Sequence, residues 1–461
     1  MNKRLWVWSA VVLVQVLVVI PAFASPGNSP NVVTVGKELC PEPEAEESID
    51  LECPDFDNLV DAIASITDAG PTNPYVILVY PGIYTGLDNG CNVEWKSYVS
   101  LQGYDRYTTV IRGGEREGSY FGLEPAMINM VGLQGINISN ITLDGSVNIE
   151  FDPTMNVAPL NVCGASVTLE NVTCVNGDPG WGPGPCITTS PDATNTINIP
   201  CEAPANITIR SSDIAPIADY GGNWTISDTT IRAVSQTEEA EWVYAYLSLR
   251  DISQPGVREG RVLITGSVIE AVGLRDGLGQ VGAIYIEGGI DEMHIVGSRI
   301  AAITSAEEPT YNTAGIQVIG SGSGSGLLQV EGSSIVTQSI SGVGGGTFYG
   351  ISVSGSDAPA VEVRGSSILS LGSGGTRADV WRDSPAPVVA LSATTYGTVA
   401  GGGASGITTQ DQQQGLFSTR LTIPLTTSAP SVNGSVWVDP SSNKFCYRSG
   451  GGTLCLAGVA P

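Results

Sequence analysis

The chain has 461 residues, with 46 Asp or Glu against 20 Lys or Arg, and its formal net charge is −26 at pH 7. A charge of that sign and size repels phosphate backbones and anionic membrane surfaces, which excludes nucleic acid and acidic lipid as partners. The length exceeds that of an ordinary compact domain, while 58 glycines and only 14% charged residues indicate many short segments separated by turns. We therefore expect an elongated repeat protein rich in β-structure.

The N-terminus, MNKRLWVWSAVVLVQVLVVIPAFAS, has the pattern of a secretory signal peptide. Two basic residues precede an apolar run, and Ala-Phe-Ala at 22–24 forms a small-x-small cleavage site. No later segment approaches the length that a membrane span needs. We expect residues 1–24 to be removed and the mature chain, 25–461, to be secreted or displayed at the cell surface without a transmembrane anchor.

Nine cysteines in an exported chain indicate disulfides, with one thiol left over. Cys40 and Cys53 are predicted to pair and close a loop that contains the acidic run EPEAEESIDLE. In KFCYRSGGGTLC, a Gly-rich turn places Cys446 opposite Cys455 across a hairpin, which predicts a second bond. The remaining five cysteines cannot be paired from the sequence.

Residues 25–115 are predicted to form an N-terminal cap and the first strands. NVVTVG (31–36) reads as a strand, FDNLVDAIASITDAG (56–70) has helical apolar spacing, and strands follow in YVILVYPGIYTG (75–86) and YVSLQGYDRYTTVIRGG (98–114). We expect one apolar stripe of the helix to cover the first coil and its strand edge. That stripe consists of Phe56, Leu59, Val60, Ile63 and Ile66.

Residues 116–400 contain a repeat. VLITGSVIEAV, MHIVGSRIAAI, LQVEGSSIVTQ and VEVRGSSILSL share the phrase apolar-x-apolar-x-Gly-Ser-x-Ile, anchored at Ile264, Ile295, Val330 and Val363. A second phrase, in YLSLRD, AIYIEGG, GIQVIGS and GISVSGS, aligns on Leu247, Ile284, Ile316 and Ile351. Three short apolar bursts per repeat predict one coil of a parallel β-helix, in which equivalent residues stack in columns about 4.8 Å apart.

Alternation within these strands predicts which side chains point outward. One outward column contains Leu263, His294, Gln329 and Glu362. His294 is the only histidine, and we interpret it as a surface residue because the neighbouring positions supply no partner to orient a catalytic base. The repeated Gly-Ser pairs predict a tight bend followed by a ladder of serine hydroxyls at a corner.

The helix, the buried strand that ends in Pro-Gly-x-Tyr, and the later Leu-x-Gly and Thr-x-Ile phrases resemble the pectin lyase-like right-handed parallel β-helix proteins. Asn140 in INISNITLDG and Asn171 in VTLENVTCVNG are similar to the asparagine ladders of that superfamily. The resemblance implies an all-β fold: a right-handed parallel β-helix with an N-terminal capping helix and a small C-terminal β-module. It does not specify an activity, because the superfamily includes lyases, esterases, hydrolases, tailspikes and noncatalytic surface proteins.

No complete catalytic set is visible, since the motifs of polygalacturonases and pectin methylesterases do not occur in recognisable form. Pectate lyases hold calcium with acidic residues and use Arg or Lys as base, which leaves Arg250, Asp251 and Glu287 as the candidate cluster. The repeat alignment places Arg250 and Glu287 in one outward column and Ser248 and Tyr285 in another. This arrangement fits a small cleft, and it equally fits a surface ion pair between stacked strands.

Two aromatic residues are candidate sugar platforms, Tyr285 and Trp181, the latter in the loop DPGWGPGPC. No CxxC pair predicts zinc, and neither an EF-hand loop nor a glycine-aspartate nonapeptide array predicts calcium. Calcium nevertheless stays possible as a cofactor, because clustered carboxylates can bind it. The expected partner is a polysaccharide or a cell-surface glycan.

After residue 400 the repeat stops. Residues 401–415, GGGASGITTQDQQQG, read as a linker, and 416–461 as a small meander of three strands. That meander resembles short β-modules near the ends of phage fibres and bacterial surface repeats.

Three functions remain. The first is a noncatalytic glycan-binding, adhesin-like or structural protein, which is preferred because the outward columns are mostly Ser, Gln and Thr. The second is a polysaccharide lyase or hydrolase acting on an acidic, pectin-like polymer. The third is a fibre or tailspike-like component that forms a homotrimer through its C-terminal module.

Overall fold

Three parallel sheets contain most of the described chain. The computed structural model describes residues 29–36, 53–85, 93–113, 127–145, 158–175, 185–189, 203–235, 242–250, 260–274, 279–288, 290–304, 312–320, 326–339, 346–371, 376–403, 406–410, 436–439, 444–449 and 452–457. The predicted signal peptide, 1–24, lies outside these residues.

Sheet 1 has 13 strands, each paired with the equivalent strands of the coils before and after it. In spatial order they are β1 (Asn31–Val35), β2 (Tyr75–Val79), β5 (Val99–Gly103), β8 (Ile136–Ser139), β11 (Ser166–Glu170), β14 (Ala205–Arg210), β17 (Gly222–Ser227), β20 (Arg261–Thr265), β23 (Glu292–Val296), β26 (Leu327–Glu331), β29 (Ala360–Arg364), β32 (Val389–Ser392) and β34 (Ile407–Gln410).

Sheet 2 has 11 strands: β4 (Val93–Glu94), β7 (Ile128–Val131), β10 (Leu160–Cys163), β13 (Ile187–Thr188), β16 (Ile217–Asp219), β19 (Trp242–Arg250), β22 (Gln280–Gly288), β25 (Asn312–Ile319), β28 (Thr347–Ser354), β31 (Thr376–Arg382) and β33 (Val399–Ala400). Sheet 3 has ten strands: β3 (Gly82–Thr85), β6 (Thr109–Arg112), β9 (Thr142–Asp144), β12 (Thr173–Val175), β15 (Asp213–Ile214), β18 (Thr230–Ser235), β21 (Val268–Gly273), β24 (Arg299–Thr304), β27 (Ser334–Ser339) and β30 (Ser367–Leu371).

The chain visits sheet 1, sheet 3 and sheet 2 in turn and then returns to sheet 1, which makes it a parallel β-helix. The predicted anchors are confirmed, because Ile264 pairs with Ile295, Ile295 with Val330, and Val330 with Val363. All four are at most 1% exposed and belong to one apolar core that runs through the coils. The strands predicted in 25–115 belong to sheets 1 and 3, so pairing between coils begins at β1.

The predicted corner between sheets 1 and 3 is confirmed as a column of left-handed residues. Gly266, Gly297, Gly332 and Gly365 have φ of 56° or 57°, and Asn140 and Asn171 take φ of 53° at the equivalent position of earlier coils. Asn171 Nδ2 donates to Asn140 Oδ1 at 2.8 Å, as the asparagine ladder predicts.

The serines that follow the glycines connect neighbouring coils. The backbone N–H of Ser298 donates to Ser333 Oγ at 3.0 Å, and that of Ser333 donates to Ser366 Oγ at 3.1 Å. Each hydroxyl in turn donates to a carbonyl two residues earlier in its own coil, as Ser333 Oγ does to Glu331 O at 2.9 Å. The ladder satisfies backbone groups that the bend removes from the sheet hydrogen bonds.

Helix α1 (Leu59–Ser65) is shorter than the segment predicted to be helical. Asn58 caps its N-terminus by accepting from Asp61 N at 2.8 Å. At its C-terminus the Lys96 ammonium donates to the carbonyl oxygens of Ile63 at 2.7 Å and Ile66 at 2.5 Å.

The predicted apolar stripe of this helix is correct except at one position. Leu59, Ile63 and Ile66 are buried, but Val60 is 41% exposed, and Ala62 is buried instead. Leu59, Ala62 and Ile63 have the i, i+3, i+4 spacing of one helix face, and Val60 lies about 100° around the helix from Leu59, away from that face. The role of the helix as a cap stays a prediction.

Residues 401–415 are not a linker throughout, since β34 (Ile407–Gln410) pairs in parallel with β32 and completes a further coil. The segment has few apolar residues. Its small and polar residues can still make the backbone hydrogen bonds that hold a strand in the β-helix. Farther on, β35 (Val436–Asp439), β36 (Lys444–Ser449) and β37 (Gly452–Ala457) form an antiparallel sheet of three strands. The small C-terminal β-module predicted for 416–461 stays a prediction.

Cys174 and Cys186 form a disulfide with Cα atoms 6.0 Å apart, a pair that the sequence left open. Cys53 and Cys163 each belong to a further disulfide. Cys40 lies outside the described residues, so its bond to Cys53 stays a prediction.

Cys446 and Cys455 are opposite each other in the antiparallel pair β36–β37, as the hairpin prediction requires. The bond between them stays a prediction. None of the described helices is long and apolar enough to cross a membrane.

Gly332 tests the left-handed corner, because a Cβ there would have no neighbour within 4 Å and would add backbone strain alone. We expect Gly332→Ala to lower the free energy of unfolding by about 1 kcal/mol. Gly332→Asn should cost less than half of that, since Asn tolerates this conformation. Denaturant unfolding measures both changes.

Ala393 provides the reverse control, since it already takes φ of 48° at a corner. Ala393→Gly should stabilise the protein or leave it unchanged. If Gly332→Ala were neutral and Ala393→Gly destabilising, backbone strain would not be what selects glycine here.

Candidate functional site

The longest strands of the β-helix, β19, β22, β25 and β28, lie side by side in sheet 2, and β31 follows them. Their register differs by one residue from the predicted alignment at β19: Tyr246, not Leu247, pairs with Ile284. Tyr246 points inward because its hydroxyl donates to the buried carboxylate of Asp219 at 2.9 Å. A one-residue shift exchanges the inward and outward faces of a strand.

This shift separates the predicted cluster. Glu287 pairs with Leu249, Arg250 pairs with Gly288, and Tyr285 pairs with Leu247, so the predicted Arg250–Glu287 and Ser248–Tyr285 columns are wrong. Only the backbone of Arg250 is described, and Asp251 and Trp181 lie outside the described residues. The roles proposed for these residues stay predictions.

The outward side chains of β19, β22, β25, β28 and β31, here called the outer face, form columns across the coils. The first contains Trp242, Gln280, Asn312, Thr347 and Thr376; the second Tyr244, Gly282, Ala314, Tyr349 and Ala378; the third Leu247, Tyr285, Gln317, Ser352 and Trp381. Aromatic rings therefore lie at both ends of the outer face, and small or polar residues lie between them.

The first aromatic pair consists of Tyr244 and Tyr285, whose ring centroids are 4.6 Å apart with planes inclined at 42°. The Tyr285 hydroxyl donates to Glu287 Oε2 at 2.9 Å, and the Tyr244 hydroxyl donates to Gln280. Burial raises the pKa of Tyr285, and the hydrogen bond to Glu287 raises it further. Burial also raises the pKa of Tyr244, so both phenols stay neutral donors at physiological pH.

The second pair consists of Tyr349 and Trp381, which stack with centroids 5.3 Å apart and planes at 20°. Tyr349 packs with Ala314 and Ala378 in a small apolar cluster on this face, separate from the core. Trp381 is half-buried and leaves part of its ring accessible. Tyr285 and Trp381 are three strands apart in one column, a separation of about 14 Å along the axis.

Polar side chains lie between and beside the two aromatic pairs. Thr347 Oγ1 donates to Asn312 Oδ1, and Gln317 and Ser352 occupy the two positions between Tyr285 and Trp381. Amides and hydroxyls can both donate and accept hydrogen bonds. The outer face thus combines flat apolar rings with neutral hydrogen-bonding groups over a length that suits an extended ligand.

His294 lies on sheet 1, away from the outer face, and pairs in register with Leu263 and Gln329 as predicted. Its Nε2 is 3.6 Å from Glu331 Oε2 on the next coil, a contact that the sequence analysis did not foresee. Among the described residues, no group of three or more His, Cys, Asp or Glu side chains could hold a metal ion.

Of the four residues in the two aromatic pairs, only Tyr285 was predicted from the sequence. Tyr244 and Tyr349 have the same register position three coils apart, with Gly282 and Ala314 between them, and correct pairing of β19 is needed to see this. The signal available in the sequence was an aromatic residue in the first half of two of the four long strands, β19 and β28.

No family model matches the chain, and no curated protein matches it either. Among solved structures it is similar to the pectin methylesterase PemA from Erwinia chrysanthemi, with 13% identity, 59% of this chain and 80% of that chain covered, and a TM-score of 0.39. It is also similar to the A-module of the mannuronan C-5 epimerase AlgE4 from Azotobacter vinelandii, with 14% identity, 73% and 83% covered, and a TM-score of 0.38.

A third similar structure is PfbA, a surface adhesin of Streptococcus pneumoniae, with 10% identity, 83% of this chain and 91% of that chain covered, and a TM-score of 0.34. Likenesses this distant transfer no residue role. The three parallel sheets of the chain itself show the parallel β-helix fold.

Gly282 allows the first aromatic pair to form, because a Cβ there would lie 2.9 Å from Cδ1 and Cε1 of the Tyr244 ring. We expect Gly282→Ala to displace that ring and to lower the free energy of unfolding by about 1–3 kcal/mol. The near-ultraviolet circular dichroism of the tyrosines should change as well. An unchanged spectrum together with unchanged stability would contradict the packing described for Tyr244.

Proposed function

We propose that this protein is a secreted or cell-surface β-helix that binds a glycan noncatalytically along the outer face. The observation that carries the proposal is the pair of aromatic clusters, Tyr244 with Tyr285 and Tyr349 with Trp381, on one face of one sheet. The C–H faces of sugar rings pack against aromatic rings, and sugar hydroxyls need neutral donors and acceptors beside them. Half-buried Gln280, Asn312 and Thr347 supply such groups beside the clusters, while Gln317 and Ser352, between the clusters, are 9% and 7% exposed.

The shape of the face supports a chain rather than a single sugar. Its columns run along the β-helix axis, and each coil repeats the backbone at about 4.8 Å. A polysaccharide lying along the axis therefore meets successive coils at regular intervals. The site lies on the outside of the β-helix, which fits recognition or attachment.

The alternative function, a polysaccharide lyase or hydrolase, has less support on this face. Glycoside hydrolases commonly use two carboxyl groups about 5–10 Å apart. The five strands of the outer face carry Glu287 and Asp379, and Asp379 is buried, where it accepts from the backbone N–H groups of Ser370 at 2.8 Å and Thr398 at 3.0 Å. Glu287 is thus the one carboxylate of these strands that faces outward.

Glycan binding is tested by measuring the affinity of the mature chain, 25–461, for galactan, arabinan, xylan, glucomannan and polygalacturonate by affinity electrophoresis and calorimetry. We expect binding to at least one polymer. Tyr285→Ala and Trp381→Ala should each weaken it about tenfold, equivalent to about 1.4 kcal/mol. Each variant removes one aromatic surface on the outer face.

The matched control is Tyr104→Ala, because Tyr104 is 68% exposed and lies just after β5, on another side of the coil. This variant should bind as tightly as the unmodified chain. Equal losses for all three variants, or none for Tyr285→Ala and Trp381→Ala, would place binding elsewhere. Failure to bind any of the five polymers would contradict the proposed function.

The Glu287→Gln variant distinguishes the enzymatic alternative from noncatalytic glycan binding. A catalytic Glu287 predicts that new reducing ends or unsaturated products appear with the unmodified chain and disappear in the variant. We expect neither protein to release product from the five polymers, with or without calcium. Product formation that Glu287→Gln abolishes would establish the enzyme instead.

A further inference from the structure

Among the described side chains of the five strands, Glu287 is the charged group that faces outward. The two arginines with described side chains on the five strands are Arg377 and Arg382. Arg382 donates to the carbonyl oxygens of Pro387 at 2.7 Å and Gly403 at 2.5 Å, and also to Ala386 O. Arg377 pairs in register with Phe348, whose side chain is buried in the inward column. Neither guanidinium is therefore presented to a ligand on this face.

Glu287 is the carboxylate of these five strands that faces outward. Its hydrogen-bond donor is the Tyr285 hydroxyl, a neutral group, at 2.9 Å. Among the described residues, ion pairs join other carboxylates to arginine, as in Arg232–Glu270 at 3.0 Å and Arg261–Glu292 at 3.5 Å, but no such pair includes Glu287. The carboxylate is half-buried beside the aromatic pair, where solvent screens it less than on an open surface.

From this arrangement we infer that the outer face selects uncharged glycans and rejects those that carry uronic acid carboxylates. The inference rests on the proposed glycan-binding function and adds the class of ligand. A carboxylate on a sugar stacked at Tyr285 would lie close to Glu287 with no cation of the described face to neutralise either group. The net charge of −26 adds a repulsion of the same sign at longer range.

This selectivity differs from that expected for a protein that acts on pectin-like polymers. An uncharged glycan makes the same ring contacts at Tyr285 and Trp381 and the same hydrogen bonds to neutral side chains without electrostatic cost. Glu287 then acts as a barrier against acidic sugars and is not needed for the binding of neutral ones. Discrimination of this kind uses a repulsive group built into the site.

The experiment compares polymers that differ in charge and share their backbone. One pair is polygalacturonate and its carboxyl-reduced form, and the other is galactan and its C6-oxidised form. We expect each neutral polymer to bind at least tenfold more tightly than its acidic counterpart at low ionic strength. Added sodium chloride should strengthen binding of the acidic polymers and leave the neutral ones unchanged, because salt screens repulsion.

Glu287→Gln tests the residue itself, since the amide oxygen can still accept from Tyr285 while the charge is removed. The variant should improve binding of the acidic polymers at least threefold and change the neutral ones less than twofold. The matched control is Glu331→Gln, which removes the same charge from sheet 1, where Glu331 faces His294. That control should leave the discrimination as it was.

The outcomes separate the inference from the function on which it rests. Equal binding within each pair, or tighter binding of the acidic member, would overturn the selectivity and leave glycan binding in place. An equal gain from Glu287→Gln and Glu331→Gln would show that net charge acts and that Glu287 has no special part. Binding to none of these four polymers or to the earlier five would overturn the function itself.

Discussion

The whole structure depends on the hydrogen bonds between successive coils. Each coil must return to its starting point one strand spacing farther along, with its N–H and C=O groups opposite those of the coil before it. The left-handed corner between sheets 1 and 3 makes this return, and the serine ladder from Ser298 to Ser366 satisfies the groups that the corner frees. Repeats of differing length are tolerated because the extra residues fall between strands.

The same register arranges the side chains into columns, inward and outward. Inward columns such as Ile264, Ile295, Val330 and Val363 form a continuous apolar core, which stabilises coils that could not bury enough surface alone. Outward columns need not be apolar, so their residues can vary without loss of the core. On sheet 2 this freedom brings two aromatic pairs and a set of neutral polar groups onto one surface.

The outer face also shows how closely packing and function are linked. Gly282 is small because the Tyr244 ring lies over it, and Ala314 and Ala378 are small where Tyr349 and Trp381 pack. Tyr285 holds Glu287 in place through one hydrogen bond, so the aromatic surface and the charge that would filter ligands are parts of one local arrangement. Removing either changes what the other would present to the proposed glycan.

The sequence by itself determined the coil, because apolar alternation and the Gly-Ser corner recur with the spacing that stacked strands require, and these are local properties. It also placed His294 on the surface and Tyr285 and Glu287 on an outward face. Only the tertiary structure decided the register of β19, where Tyr246 turns inward to the buried Asp219 that lies on the preceding strand of the same sheet. Neither that contact nor the pairing of Tyr244 with Tyr285 follows from local spacing, because each joins residues from different coils whose alignment is set by packing and not by the repeat.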